Sequence, residues 1–374
     1  MSPGERIPGS VFRPPRPRRT ALAILLVLSL VMLGPGNAVL AEENVVLERI
    51  LFGSCVLQSR PQPIFETAVA LQPDLFVFLG DNIYADTRNP EVMRRKYAAL
   101  AASPQFQRLR QACALEATWD DHDYGENDAG AEYPMKERSR ELFLEFWNEP
   151  QDSLRRRHDG IFASRLYGPP GRRVQLILLD TRSFRSPLRR GNPAPTDDLG
   201  PYVPYEQTVP PETTPTLLGE EQWRWLERQL RETAELRIIA SSIQVINDQS
   251  GWECWGNFPS ERRRLFVLLE TAGADGVVFI SGDRHFAELS MLEPPGLYPL
   301  YDLTSSALNI PHPSGRTGTN SHRLGSTYVR PNLGVLELDW EDPRRLTFQI
   351  RDQRGALRLE RSVSLDALSL ASAR

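Results

Sequence analysis

Apolar runs alternate with amphipathic segments along most of the chain. Runs such as DLFVFLGD (residues 74–81) and GVVFISGD (276–283) are apolar throughout, which is typical of strands buried on both faces. Segments with helical spacing separate them, among them EEQWRWLERQLRETA, which carries acids in its first turn. The predicted strands are 45–55, 74–81, 173–184, 236–246 and 277–283, and the predicted helices are 64–72, 90–111 with a break at Pro104, 136–148, 219–234 and 260–274. This alternation predicts an α/β fold.

After residue 290 the pattern changes to short strands at hairpin-like spacing. VLELDW (335–340), LTFQIRD (346–352) and LRLERSVSL (357–365) are separated by turn residues. We expect these strands to complete a single domain over residues 42–374. The Pro- and Gly-rich stretch 186–219 is a long insertion of the kind that usually serves a binding face.

The N-terminal residues predict export. Arg16, Arg18 and Arg19 precede an apolar stretch at 21–33 and a small-residue site ending at Ala41. This is the order of a secretory signal peptide, here residues 1–41, and Arg18-Arg19 leaves a twin-arginine route open beside the Sec route. The stretch is shorter than the roughly 17 to 25 residues of a membrane span, so no integral span is expected after cleavage, although an uncleaved anchor is the alternative. The expected location is the periplasm or the extracellular space.

Composition and charge narrow the function. The chain is 40% hydrophobic and 25% charged, as in ordinary soluble proteins, and its net charge is −4. Residues 1–41 hold five arginines and one glutamate, so their removal changes the net charge to −8. A stable nucleic-acid partner is therefore not expected. The three cysteines leave one over after any single disulfide; the sequence permits a bridge between Cys113 and Cys254.

Acidic residues follow three of the apolar runs. TWDDHDYGENDAG (118–130) alone would be interpreted as a solvated loop, but the same junction recurs at Gly80-Asp81 and Gly282-Asp283. Cys55 also ends a predicted strand. Because ligands gather at the carboxyl ends of strands, we expect these four positions to meet at one edge of one sheet. Buried carboxylates that converge there would repel one another without a cation, which indicates a metal site.

The ordered blocks FGSC, GDNIY, WDDHDYG and SGDRH resemble the alkaline phosphatase D (PhoD-like) branch of the calcineurin-like metallophosphoesterases, over about residues 48–350. The resemblance implies a metallophosphoesterase-type four-layer α/β/β/α sandwich with ligands at the carboxyl-terminal ends of strands. It also implies a catalytic histidine, His122, and six metal ligands: Cys55, Asp81, Tyr84, Asp121, Asp283 and His285. Gln244 stands where the superfamily usually has a histidine ligand, which leaves the coordination of the second metal open.

The residues themselves add candidates around this set. Asp120 or Asp123 could orient the His122 imidazole. Asn127 and Arg284 are candidate substrate-binding residues, although Arg284, as a strand neighbour of Asp283, would point to the opposite side. The remaining histidines are interpreted as surface residues of polar loops, with His322 the one that could reach substrate: His158, His312 and His322.

The ligand types indicate the cofactors and the reaction. An oxygen-rich group of Asp81, Asp121 and Asp283 favours calcium, whereas cysteine, tyrosine and histidine together suit iron, and the resemblance implies Fe(III) with Ca(II). Two cations about 3.5 to 4 Å apart can hold a small phosphate ester and activate a water for in-line attack. We therefore expect an exported hydrolase of phosphodiesters, phosphomonoesters or both. The alternatives are a catalytically silent calcium-binding protein and an exported nuclease.

Overall fold

Two β-sheets form the centre of the computed structural model, which describes residues 44–191, 200–205, 214–249, 251–312 and 317–373. In chain order the strands are β1 (Arg49–Gly53), β2 (Leu75–Leu79), β3 (Ala114–Thr118), β4 (Ala163–Tyr167), β5 (Val174–Leu178), β6 (Leu236–Ser241), β7 (Val277–Ser281), β8 (Ala287–Leu292), β9 (Leu300–Ser305), β10 (Arg323–Tyr328), β11 (Asn332–Asp339), β12 (Arg345–Asp352) and β13 (Leu357–Ser364). The first sheet has the order β13-β12-β11-β1-β2-β3, and the second β10-β8-β9-β7-β6-β5-β4.

Each sheet has a parallel centre with antiparallel strands at its sides. In the first sheet β1, β2 and β3 are parallel, and β11 joins β1 in antiparallel pairing, with Leu51 opposite Val335. In the second sheet β5, β6, β7 and β9 run parallel. The carboxyl ends of the parallel strands within each sheet therefore lie at one edge.

Helices cover the outer faces of the sheets. In chain order they are α1 (Ile64–Ala70), α2 (Pro90–Ala101), α3 (Pro104–Ala112), α4 (Asp121–Tyr124), α5 (Lys136–Phe146), α6 (Gly219–Leu230) and α7 (Pro259–Thr271). The predicted break at Pro104 is confirmed. Ser103 caps α3 by accepting a hydrogen bond from the backbone N–H of Phe106, and Pro104 occupies the first helical position, where its missing N–H costs nothing.

The alternation of side chains in the first sheet builds two apolar layers. Ile50 and Phe52 of β1 belong to the core that the two sheets share, while Leu51 faces the other way into the core under α1 to α5. In β2, Val77 faces the shared core and Phe78 the helices. A strand buried on both faces needs an uninterrupted apolar run, which is the pattern in the sequence.

Helices α6 and α7 complete the fourth layer against the second sheet. Trp223 and Leu226 of α6 and Leu265 and Leu269 of α7 belong to the same core as the second sheet. The side-chain amide of Gln175 in β5 donates to the carbonyl of Gln229 in α6 across 2.9 Å. The predicted α/β/β/α sandwich is thus confirmed, with β11 to β13 completing the first sheet.

The division of the chain at residue 41 stays a prediction, because residues 1–41 lie outside the described residues. Within the described ranges, no helix combines the length and the apolar character that crossing a membrane requires.

Candidate metal centre

The candidate ligands lie just after the carboxyl ends of strands in both sheets. Cys55, Asp81 and Asp121 follow β1, β2 and β3 of the first sheet, whereas Asp283 and His285 follow β7 of the second. The expectation that they meet at one edge of a single sheet is therefore wrong. The order of strands places β7 in a different sheet from β1 and β2, and the two edges together form the site.

Left-handed backbone conformations are concentrated at these junctions. Cys55, Asp81, Asp283 and His285 have φ values of 64°, 50°, 67° and 57°. For residues other than glycine such conformations cost of order 1–3 kcal/mol each and persist only where the surroundings enforce them. Their concentration at the strand ends marks this edge as a constrained, functional region of the fold.

A first group of donors combines sulfur, oxygen and nitrogen. The ligand atoms of Cys55, Asp81 and His285 all lie within 4.8 Å of one another. The Cys55 Sγ lies 3.4 Å from Oδ2 of Asp81. The Tyr84 hydroxyl contacts the same Oδ2 at 3.1 Å and Nε2 of His285 at 3.4 Å. Nδ1 of His285 lies 2.6 Å from the carbonyl of Ile310, and a hydrogen bond there leaves Nε2 as the nitrogen that faces the group.

A second group shares Asp81 with the first. The ligand atoms of Asp81, Asp121 and His122 lie within 4.8 Å of one another, and so do those of Asp121, Asp128 and Glu253. Asp283 lines the same pocket but belongs to none of the three-donor groups found in the described residues. Asp81 therefore lies between a Cys/His group and a carboxylate-rich group.

The electrostatics of the donors fit bound cations. Burial, followed by the charge of Asp81, raises the pKa of Cys55. Burial also holds the pKa of Asp81 well above its ordinary value, because it and the neighbouring carboxylates outweigh the lowering effect of His122. Burial likewise raises the pKa of Asp283. Donors within 4.8 Å of one another match the spacing around one ion with bonds of roughly 2.0–2.6 Å. Bound cations would offset both the burial of these charged groups and the repulsion between them, so the residues fit a site for two metals.

One buried arginine, which the sequence did not single out, neutralises part of this charge. Arg182 is fully buried and its Nε donates to Oδ1 of Asp120 across 2.6 Å, while Nη1 donates to Glu253 across 2.7 Å. Burial raises the pKa of Asp121, but Arg182 and then His122 outweigh it and bring that pKa to about 2. The signal was the Asp-Thr-Arg that follows the apolar run of β5, a fourth junction of the same kind.

His122 is oriented by a residue that the sequence did not suggest. Its Nδ1 lies 2.6 Å from Oδ1 of Asp86, so neither Asp120 nor Asp123 orients the imidazole. Burial lowers the pKa of His122, but Asp81 and the hydrogen bond to Asp86 outweigh it and raise that pKa to about 11. Asp86 lies in the loop after β2, which carries no periodic pattern to indicate its position.

Asp120 and Asp123 instead hold the loops together. Oδ1 of Asp123 accepts from the backbone N–H of Asp81 at 3.1 Å and of Asp120 at 2.7 Å. The amide of Asn82 donates to Oδ2 of Asp123 across 2.5 Å. Asp120 accepts from Arg182 and from the hydroxyl of Ser242. These acids join the ligand-bearing loops after β2 and β3 to the ends of β5 and β6 in the second sheet.

The donors open into a pocket of about 300 Å³. Its lining residues are Asp81, Asp121, His122, Asn127, Asp128, Trp252, Asp283, Arg284, His285, Ile310, Pro311, His312 and Gly318. The structure thus brings both candidate substrate-binding residues, Asn127 and Arg284, into the site. His312 lines the pocket, in contrast to its interpretation as a surface residue, whereas His322 lies 3.6 Å from Asp248 and His158 stacks on Phe162.

The expectation that Arg284 points away from its neighbours is also wrong. Strand β7 ends at Ser281, so the alternation of a strand no longer applies at residue 284. The left-handed backbone at Asp283 and His285 turns the chain, and all three side chains line the pocket.

Gln244 and the cysteines complete the account of the candidates. Gln244 is buried and its amide donates to Glu288 and Thr304 at 2.7 and 2.9 Å, so it holds the second sheet and lies outside the pocket lining. All three cysteines fall within the described residues and none is in a disulfide, so the bridge between Cys113 and Cys254 is not formed.

Comparisons with solved structures agree with this fold. A solved structure of PhoD matches with a TM-score of 0.65 and 17% identity over 88% of this chain and 72% of that one. A dimetal phosphatase from Danio rerio matches with a TM-score of 0.52 and 14% identity, over 85% of this chain and 99% of that one. GAP50, the anchor in the inner membrane complex of Plasmodium, matches with a TM-score of 0.51 and 13% identity, over 88% of this chain and 95% of that one. At these identities the likeness shows the fold alone. No curated protein sequence matches significantly.

A family description settles the assignment that the motifs implied. The model of the PhoD-like phosphatases matches residues 54–360, which include every candidate ligand from Cys55 to His285. The chain belongs to the PhoD-like phosphatase family.

Proposed function

We propose that the chain is an exported hydrolase that uses Fe(III) and Ca(II) to cleave phosphodiesters, with phosphomonoesters as poorer substrates. Its family supports a metal-dependent phosphoester hydrolase. The observation that carries the proposal is that Asp81 lies within 4.8 Å of the donors of Cys55 and His285 and also of Asp121, in the lining of one pocket. A shared carboxylate is what a pair of neighbouring cations needs.

The two donor groups differ in the cation that they suit. Cys55, Tyr84 and His285 supply a thiol, a phenol and an imidazole, which favour iron, and they meet around Asp81. Asp121 and Asp128 supply only oxygen, which favours calcium. When bound, the two cations supply Lewis-acid activation of the water and of the phosphoryl group.

His122 is the proposed general acid. Because its pKa is raised to about 11, the imidazole carries a proton at neutral pH. The hydrogen bond to Asp86 occupies Nδ1, so the proton on Nε2 is the one that the ring can give to the leaving alcohol. Bound cations would neutralise Asp81 and Asp121, and so bring this pKa down towards the working range.

The alternatives are less well supported. A calcium-binding protein without activity would not need a protonated histidine held by Asp86 at the pocket wall. A nuclease would need positive charge along a polyanion, and the chain has a net charge of −4. Export rests on the N-terminal pattern at residues 1–41.

Exhaustive chelation followed by reconstitution tests the proposal. Purified enzyme is assayed with bis(p-nitrophenyl) phosphate before chelation, after it, and after iron and calcium are added separately and together. We expect chelated protein to be inactive and both metals to be needed for full recovery. Full activity in protein that elemental analysis finds empty of metal would disprove the proposal.

A further inference from the structure

Arg284 is a buried cation that lies beside two aromatic rings. Only 9% of the residue is exposed. Its guanidinium carbon lies 5.4 Å from the centre of the Trp252 ring and 5.5 Å from that of Phe286. Aromatic contacts of this kind hold a guanidinium by its faces and leave the N–H groups, which point outward in its plane, for a ligand.

Few hydrogen-bond partners for those N–H groups are found among the described residues. The Nε of Arg284 is buried and has no hydrogen-bond partner among the residues that the structure describes. Nη1 lies 3.7 Å from Oδ2 of Asp283, which is beyond hydrogen-bond distance. Leaving a buried, charged N–H group without a hydrogen bond costs free energy of folding. Arg284 lines the same pocket as the metal donors. The geometry fits an anionic ligand that completes its hydrogen bonds.

Trp252 is set in place by the residue that follows it. Glu253 is buried and accepts from Arg182 across 2.7 Å, and its other oxygen lies 3.0 Å from Nε of Arg185. Two residues further on, the backbone N–H of Trp255 donates to the carbonyl of Gln244 across 2.9 Å. Trp252 therefore stands on a fixed segment, although 40% of its own surface is exposed.

The pocket has an apolar wall beside its charged floor. Trp252, Ile310 and Pro311 line it together with Arg284 and the metal donors. A phosphomonoester would present only charged oxygens and one alcohol group to this pocket. A phosphodiester carries a second ester group, and an apolar wall next to a phosphate-binding arginine gives that group a surface to occupy.

We propose that Trp252 determines specificity: it holds Arg284 with its N–H edge towards the phosphate, and with Ile310 and Pro311 it receives the second ester group of phosphodiesters in which that group is aromatic. The inference rests on the proposed function of the site. Arg284 binds a non-bridging phosphate oxygen, and Trp252 acts as its positioning residue while it contacts the ester group itself.

Three substrates with one leaving group test the specificity. Bis(p-nitrophenyl) phosphate, methyl p-nitrophenyl phosphate and p-nitrophenyl phosphate all release p-nitrophenolate and differ only in the second ester group. We expect Trp252→Ala to lower kcat/KM for the aryl diester about 10-fold and for the methyl diester about 3-fold, since an aromatic pair is worth roughly 3- to 10-fold in binding. Trp252→Phe should keep most of the aryl preference. An equal loss on both diesters would overturn the inference.

A binding measurement separates this inference from the proposed function. Calorimetry with diphenyl phosphate and dimethyl phosphate on the metal-loaded protein compares an aryl with an alkyl diester without any need for turnover. Diphenyl phosphate should bind more tightly to the wild type, and Trp252→Ala should remove that difference. If no ester is hydrolysed but the difference is present and lost in the variant, the proposed function fails and the binding role of Trp252 stands. If the wild type binds diphenyl phosphate and dimethyl phosphate equally tightly, Trp252 does not have the proposed role.

Inorganic phosphate and a matched variant test the arginine. Arg284→Ala should weaken phosphate binding about 10- to 100-fold, and Arg284→Lys should not restore it, because an ammonium lacks both the planar fork and the flat faces for Trp252 and Phe286. Phe266→Ala is the control, since it removes a ring that lies 5.1 Å from the guanidinium of Arg262 outside the pocket lining. It should leave phosphate binding unchanged. Equal binding by Arg284→Ala and the wild type would contradict the assignment.

Discussion

Nδ1 of His122 lies 2.6 Å from Oδ1 of Asp86, and the two residues are 36 positions apart in the chain. Asp86 is 44% exposed at its side chain, whereas His122 is 17% exposed. A partly exposed carboxylate thus fixes the ring of the proposed acid, and solvent reaches the pair from the carboxylate side. The pair sets both the direction of the imidazole and the pH at which it loses its proton.

Asp86→Asn should lower turnover and shift its pH dependence. The pKa of His122 is raised to about 11, in part by Asp86, and the acid works only while protonated. Removal of the carboxylate lowers that pKa, so the alkaline limb of the kcat profile should move to lower pH, with roughly a 10-fold loss at the optimum. Kinetics between about pH 6 and 11 measure this. Asp366→Asn, an exposed acid paired with Arg344, is the control, and identical alkaline limbs would refute the assignment.

His122→Ala should reduce turnover by about 10² to 10⁴, the usual contribution of a positioned proton donor. Metal content, measured by elemental analysis, should fall little, because the Cys55, Asp81 and His285 group remains complete. The loss should shrink for esters with better leaving groups, which need less protonation. A variant with near-normal turnover on a poor leaving group would show that the acid is another residue.

Cys55→Ser should weaken iron retention and shift the visible absorption that a thiolate and the Tyr84 phenolate give with Fe(III). Burial raises the pKa of the Cys55 thiol, so a nearby cation is what would hold it as a thiolate. Cys113→Ser is the control, because Cys113 lies at the end of α3, outside the pocket lining. Peptide mapping of active enzyme without reduction should find Cys55 as a free thiol. A disulfide at Cys55 in active, metal-loaded enzyme would exclude it as a ligand.

Arg182→Met should destabilise the fold by about 3–5 kcal/mol, since it leaves the buried Asp120 without its cation and Glu253 with Arg185 alone. The midpoint of urea unfolding measures the change. Arg231→Met, which breaks an exposed pair with Glu227 at 2.7 Å, should cost less than about 1 kcal/mol. If the methionine variant does not fold, Arg182→Lys replaces it. Equal midpoints for the buried and exposed variants would contradict this role of Arg182.

The sequence predicted the parts of the site that follow from strand ends. Apolar runs that stop at Gly80-Asp81 and Gly282-Asp283 place acids at the edge of a sheet wherever such strands pack, and the structure has them there. The assignment of β7 to a second sheet could not be predicted, because strand order depends on long-range pairing. The inward position of Arg284 depends on two left-handed residues beside it, and no periodicity encodes those.

Asp86, Arg182 and Trp252 were missed for a related reason. Asp86 and Trp252 lie in loops, and their contacts with His122 and Arg284 join segments far apart in the chain. Of these three residues, only Arg182 had a recognisable sequence pattern, because it is a charged residue shortly after the buried strand β5. Its role became visible only with Asp120 and Glu253 around it.

The metal donors come from both sheets, so a metal bound by them would cross-link the two sheets. Cys55 and Asp81 follow strands of the first sheet and His285 follows a strand of the second, so one cation between them would close a loop from residue 55 to residue 285. Closing so long a loop restricts the unfolded chain in the way a disulfide does, which is worth about 5 kcal/mol for a loop of this length. None of the three cysteines, all of them described, is in a disulfide. Metal loading, through binding to the folded state alone, would then raise resistance to heat and proteolysis as well as enable catalysis.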